Sequence, residues 1–71
     1  MSGRETLAAL QRAGFQVYRQ AGSHVTMHQV DERRTVTVPL HAGKALKLGT
    51  LNTILKGAEL FVADFVELLR K

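Results

Sequence analysis

The chain contains no cysteine and no tryptophan, and it has a single proline and a single tyrosine. Without cysteine, disulfide stapling and thiolate metal sites are excluded, which matches a reducing compartment. No stretch approaches the ~20 consecutive apolar residues of a membrane span. The opening MSGRETLAAL lacks a continuous apolar signal core, so a soluble, cytoplasmic protein without a membrane partner is expected. Carboxylates are missing over long stretches, with no Asp or Glu from Thr6 to Val30 or from Thr35 to Ala58. Those same stretches hold Arg12, Arg19, Lys44, Lys47, Lys56 and all three histidines. Ten Lys and Arg against six Asp and Glu give a net charge of +4, a balance that favours polyanionic partners. At this level, a solvated surface with a basic bias and a phosphate-binding face are both consistent with the distribution.

A length of 71 residues allows one domain, taken as residues 1–71, with one thin core and no deep pocket, because so short a chain buries only ~60% of its unfolded surface. An apolar fraction of 45% with 23% charge is that of a globular chain rather than a disordered one. Leu7, Leu10 and Ala13 recur at helical spacing over residues 4–13, and Gly14 is placed to cap that helix. From Phe15 the period changes to two. Phe15, Val17 and Arg19 alternate with Gln16, Tyr18 and Gln20, and the loop Ala21-Gly22-Ser23 leads into a second strand carrying Val25 and Met27. A turn at Asp31-Glu32-Arg33 leads to a third strand with Val36 and Val38, ended by Pro39, which has no N–H to donate. The segment HAGKALKLG reads as a loop with two lysines. Thr50 is expected to cap a helix carrying Leu51, Ile54 and Leu55 on one stripe, weakened or ended at Gly57. Leu60, Phe61, Phe65, Leu68 and Leu69 predict a terminal helix or a bent continuation. The expected fold is α+β in the order α-β-β-β-α(α), a three-stranded antiparallel sheet with helices on one face. This is the topology of the double-stranded-RNA-binding-domain fold.

In a regular register the buried face collects Phe15, Val17, Val25, Met27, Val36 and Val38, leaving Gln16, Tyr18, Gln20, His24, Thr26, His28, Thr35 and Thr37 on the open face. His24 then opens the second strand with Pro39 or His41 across from it. His24 and His28, four positions apart on a strand, are separated by roughly 13 Å at ~3.3 Å per residue, too far to share one ion. No carboxylate cluster accompanies them, so neither a metal nor another cofactor is expected. Metal-free RNA cleavage needs a base for the 2'-hydroxyl proton, an acid for the leaving 5' oxygen and cations for the developing phosphorane charge. Histidine, with an unperturbed pKa of ~6.5, serves as either base or acid, and lysine or arginine supplies the charge. From spacing alone, an exposed strand histidine such as His24 is usually only a surface residue.

At Gly22-Ser23-His24, followed by TVTVPLHAGKALKLGTLNTILKGAEL, the sequence resembles the HicA family of mRNA interferase toxins. The features occur in family order. A Gly-Phe follows the first helix, then come the GSH turn, the VPxH segment at Val38 to His41, a lysine-bearing loop and GTLxxILK from Gly49, together covering residues 4 to 60. The resemblance implies a double-stranded-RNA-binding-like fold and an endoribonuclease whose catalytic residue is His24. It further implies a substrate of mRNA and a HicB-type antitoxin that neutralises the toxin by covering its active surface in the bacterial cytoplasm. The chain departs from the family pattern at Asp31-Glu32-Arg33, where glycine is usual, at Gly57-Ala58-Glu59, and at Phe61, which stands where a polar cap is common. The candidate RNA-binding residues are Gly22, Ser23, Lys44, Lys47 and Thr50. Gly22 serves the turn, Ser23 caps it or bonds RNA, and the lysines precede a helix N-terminus that favours phosphate. His41 either assists His24 or stabilises the loop. His28 and Lys56 read as surface residues, and Tyr18 stacks on a base or packs sideways. The rival readings are a non-catalytic RNA-binding module of the same fold and a module whose basic face meets an acidic protein.

Overall fold

The computed structural model describes residues 1–29, 31, 33–41 and 44–71. Helix α1 (Gly3–Arg12) starts at a capping box, in which the Ser2 hydroxyl accepts from the Glu5 amide while the Glu5 carboxylate accepts from the Ser2 amide. These bonds satisfy donors that a helix N-terminus otherwise leaves open. The helix ends at a cap on Ala13, before Gly14 at φ 97°, and the Gln29 side chain donates to the Ala13 carbonyl at 2.9 Å. Three antiparallel strands follow, β1 (Phe15–Ala21), β2 (His24–Gln29) and β3 (Arg34–Pro39), in the order β1-β2-β3. Helices α2 (Leu48–Ala58) and α3 (Val62–Leu69) complete the chain. The expected α-β-β-β-α-α order and three-stranded antiparallel sheet are what the structure shows.

The core lies between the sheet and α1 and α2. Leu10, Phe15, Val25, Met27, Val36, Val38, Ile54 and Ala58 form one buried cluster, and Ala9, Leu55 and Phe65 form a second one under α3. Thus α3 packs on α1 and shares an apolar seam with α2. Arg12 adds to that docking by donating to the Leu68 carbonyl at 2.7 Å. The one buried polar side chain among the described residues, Thr6, donates to the Ser2 carbonyl at 3.0 Å within its own helix. Arg34, at the start of β3, pairs with Glu59, which sits at the C-cap of α2 in the left-handed region at φ 54°. Arg34 acts first by hydrogen bonding and then by charge to hold the Glu59 carboxyl below the usual carboxylate range.

Several sequence expectations change in the folded chain. The first hairpin has a two-residue turn, Gly22-Ser23, because Ala21 already pairs with His24. Gly22 has φ 59°, the first-position conformation in which such turns take glycine. The second connection runs from Gln29 to Arg34, which pair with each other, and Arg33 donates back to the Gln29 carbonyl with its own φ at 58°. Within that expected turn, Glu32 lies outside the described residues, as do Val30 beside it and Ala42 and Gly43 of the lysine-bearing loop. Val17 faces the helix side yet is 49% exposed, and on β1, one of the sheet's two edge strands, Phe15 alone is buried. Helix α2 begins at Leu48 with Lys47 as its cap residue, so Thr50 is inside the first turn and does not cap it. The helix also runs through Gly57, which packs where an added Cβ would sit 3.1 Å from Val36 Cγ1. The terminal helix is separate from α2 and starts after Phe61.

Gly3 brings the start of the first helix close against the end of β3 and Leu40. A Cβ there would lie 2.6 Å from Leu40 Cδ2 and 2.8 Å from the Pro39 carbonyl oxygen, and the latter cannot swing aside. Gly3→Ala is therefore expected to destabilise the fold by ~1–3 kcal/mol, as overpacking does, read as a lowered urea midpoint with an unchanged slope. A midpoint equal to that of the parent would show that α1 can shift freely against β3.

Candidate active site on the open face of the sheet

The strand pairing sorts side chains between the helix side and the open side, because cross-strand partners share a face. His24, exposed at the start of β2, stands between Ala21 of β1 and Pro39 of β3. This settles its expected neighbour as Pro39, with His41 two residues further along. The next row on the open face is Arg19-Thr26-Thr37, and the one beyond is Gln16-His28-Thr35. Between Val17, which pairs with Met27, and Arg19, which pairs with Thr26, the register slips by one residue. Tyr18 is thus the extra residue of a β-bulge, and the alternation after it reverses. Arg19, expected on the core side, belongs to the open face, whereas Gln20, expected outward, belongs to the helix side.

No strand contains an Asp or Glu, so the open face has no carboxylate of its own to offset a cation. Neither His24 nor Arg19 makes a side-chain hydrogen bond or ion pair with another described residue. His28 is engaged differently: its Nδ1 lies 3.3 Å from Thr35 Oγ1, and the Tyr18 ring packs on it with centroids 6.2 Å apart, tilted by 55°. Tyr18 therefore takes the sideways-packing role of its two alternatives, while staying 70% exposed.

The remaining sequence candidates gather around the segment between β3 and α2. This segment is tied to the N-terminus by a bridge between Ser2 and Ala45 and by the Leu46 amide, which donates to the Met1 carbonyl at 2.7 Å. It is tied to the first hairpin by the Leu40 amide, which donates to the carbonyl of half-buried Ser23. A cleft of about 530 Å³ lies between residues 1–5, Gln20 and the segment bearing Leu40, His41 and Lys44. An adjoining cleft of about 350 Å³ is lined by His41, Lys44, Ala45, Leu46, Lys47 and Thr50. The structure thus brings together His41, Lys44, Lys47 and Thr50 at the start of α2, where no side chain caps the helix, but His24 lines neither cleft. Gly22 and Ser23 stay with His24 at the hairpin. Among residues lining the larger cleft, Glu5 is the one carboxylate. The Ser2 backbone N–H, followed by the Ser2 hydroxyl, holds it below the usual carboxylate range. The described residues contain no group of three His, Asp or Glu that could hold a metal ion, and no helix among them is long and apolar enough to cross a membrane.

The site therefore includes residues that patterning alone missed. Arg19 was hidden by the bulge, and Arg4 and Gln20 reach the larger cleft only through tertiary contact. Against protein-family models, residues 3–60 match the HicA toxin family, described as the HicA toxin of bacterial toxin-antitoxin. The chain belongs to the HicA toxin family. A search of curated protein sequences gives no match. The HicA match takes in α1, the whole sheet and α2, so it includes His24, the smaller cleft and the larger cleft except for Met1 and Ser2, and it stops short of α3.

The N-terminal wall of the larger cleft depends on the capping box. Ser2→Ala is expected to lower stability by ~1 kcal/mol. It should also speed hydrogen exchange at the Leu46 amide more than at the central amides of β2, because Leu46 is held through Met1. Equal acceleration at both places would mean that the segment is not anchored through the N-terminus.

Proposed function

We propose that this HicA family member is a metal-independent endoribonuclease that cleaves mRNA with His24 as its catalytic residue. The observation that carries the reading is the placement of His24, exposed on an open sheet face without carboxylates, directly after the Gly22-Ser23 turn. In the proposed reaction the substrate's 2'-oxygen forms a bond to the adjacent phosphorus and the bond to the 5' oxygen breaks. One proton leaves the 2'-hydroxyl and one reaches the departing oxygen, with no change of oxidation state. His24 holds or gives one of those protons, as an imidazole can act either as base or as acid. The products are a 2',3'-cyclic phosphate and a 5'-hydroxyl, and DNA, having no 2'-hydroxyl, is not cut.

Lys44, Lys47 and Thr50, at the uncapped start of α2, are proposed to hold a phosphate flanking the cut, with His41 and Lys44 lining both clefts. Gly22 and Ser23 shape the turn that presents His24. The whole of residues 1–71 acts as one domain. Its regulator is a HicB-type antitoxin that covers the sheet face in the bacterial cytoplasm. The same face without chemistry would be a shape-reading RNA-binding module, and the two readings part on turnover.

With a long single-stranded RNA in EDTA, the wild-type chain is expected to produce fragments and His24→Ala none, with RNA affinity changed less than ~3-fold because an exposed histidine adds little to phosphate binding. RNA left intact by the wild type both with EDTA and with added divalent metal, with a retained gel shift, would identify the binding module instead, and wild-type cleavage seen only without EDTA would refute the metal-free route. For the phosphate subsite, Lys44→Ala with Lys47→Ala should reduce the slope of log affinity against log salt by ~1.4, at ~0.7 for each lost contact to a single strand. An unchanged slope would place the RNA elsewhere.

A further inference from the structure

We infer that Arg19 is a second catalytic residue, contacting the phosphate that is cut, and that the one-residue bulge at Tyr18 exists in the fold as the device that turns it toward His24. The inference rests on the ribonuclease reading and adds the cation which that chemistry requires.

The placement comes from the pairing. Arg19 is two positions along β1 from Ala21, the direct partner of His24. This makes Arg19 and His24 diagonal neighbours on one face, ~7–8 Å apart and within reach of a long side chain. The residue between them and across from His24 is alanine, which puts no bulk in the way. The strands contain two basic residues, Arg19 and Arg34. Arg34 falls on the helix side by parity and is paired with Glu59 and Gln29. Arg19 is therefore the one strand cation on the open face, exposed and without a hydrogen bond or ion pair to a described residue. The position of Gln20 gives an independent check on the reversal, because it lines the cleft against the α1 N-terminus, as the helix side of β1 should after the bulge.

The chemistry fits the residue type. A guanidinium presents parallel N–H donors that match two non-bridging oxygens of a phosphate and stays charged at any working pH. As the 2'-oxygen adds, negative charge builds on those oxygens, so a fixed bidentate donor binds the transition state more strongly than the ground state and acts on the rate rather than on affinity. The lysines around the two clefts do not duplicate this role, since His24 lines neither cleft.

The test is single-turnover cleavage of one defined RNA in EDTA by the wild type, Arg19→Ala, Arg19→Lys, His24→Ala and the swap Arg19→Gln with Gln20→Arg. The swap keeps the net charge and moves the guanidinium to the other face. Arg19→Ala should lose ~10²–10³-fold in rate, the range seen when one oxyanion donor is removed, with RNA affinity changed less than ~5-fold. Arg19→Lys should recover part of the rate, the swap should be as slow as Arg19→Ala, and added guanidinium ion should raise the rate of Arg19→Ala but not of His24→Ala. Guanidinium rescue and the lysine variant keep the test decisive if the swap does not fold. Arg19→Ala within ~3-fold of wild type, or a swap as fast as wild type, would overturn the role of Arg19 while leaving His24 and the ribonuclease reading in place. A wild-type chain that does not cut RNA would overturn both.

Discussion

Everything in this chain depends on one constraint: a three-stranded sheet in so short a sequence has enough helix to cover one side. The side under α1 and α2 takes Phe15, Val25, Met27, Val36 and Val38 into the core, and whatever remains on the strands faces outward. Hydrophobic burial thus decides, indirectly, where the chemistry-bearing side chains sit. His24 is outward because Val25 beside it is inward. The pairing of β2 with both neighbours then fixes which residues share its surroundings. The core and the candidate site are two readings of a single register.

Most of that register was legible in the residues. The alternation of Val25 with Met27 and of Val36 with Val38 is regular, so the faces of β2 and β3 can be read directly from the apolar pattern. The edge strand β1 was harder. FQVYRQA alternates well enough to suggest an unbroken strand, yet Tyr18 enters as an extra residue and the facing of Arg19, Gln20 and Ala21 is reversed. β1 tolerates this because burial tests few of its side chains, as exposed Val17 shows. Helix ends were legible to within a few residues. The capping role expected of Thr50 failed because Lys47 already takes the extended cap conformation and the Leu51 amide bonds back to its carbonyl. Gly57 did not end α2 because a missing Cβ there is what lets the helix approach Val36. The gathering of His41, Lys44, Lys47 and Thr50 was anticipated by their nearness in sequence, whereas their contact with the N-terminus through Ser2 and Ala45 was not.

The family match and the geometry support each other at different levels. The match covers the elements that build the sheet and both clefts, and the geometry shows how those elements separate two groups of polar residues. One group lies on the open face around His24 and Arg19, the other around the segment from His41 to Thr50. They meet near Leu40, whose amide joins the first hairpin through Ser23 and whose side chain lies against the start of α1. Under the proposed function, a single RNA strand running from the sheet face to the start of α2 passes both groups.

The bulge has a further consequence for the edge of the sheet formed by β1. β1 presents an unpaired row of backbone donors and acceptors, the kind of surface on which a second chain can add as another strand. An extra residue in the middle of that row breaks its repeat and increases the local twist, so an incoming strand cannot pair continuously along it. A deletion at Tyr18 would therefore do what a substitution there would not. It would keep Arg19 opposite Thr26 on the open face, because the pairs on either side of the extra residue are unchanged, and it would straighten the edge into a template for aggregation. Length, more than side-chain identity, is what this strand has to preserve.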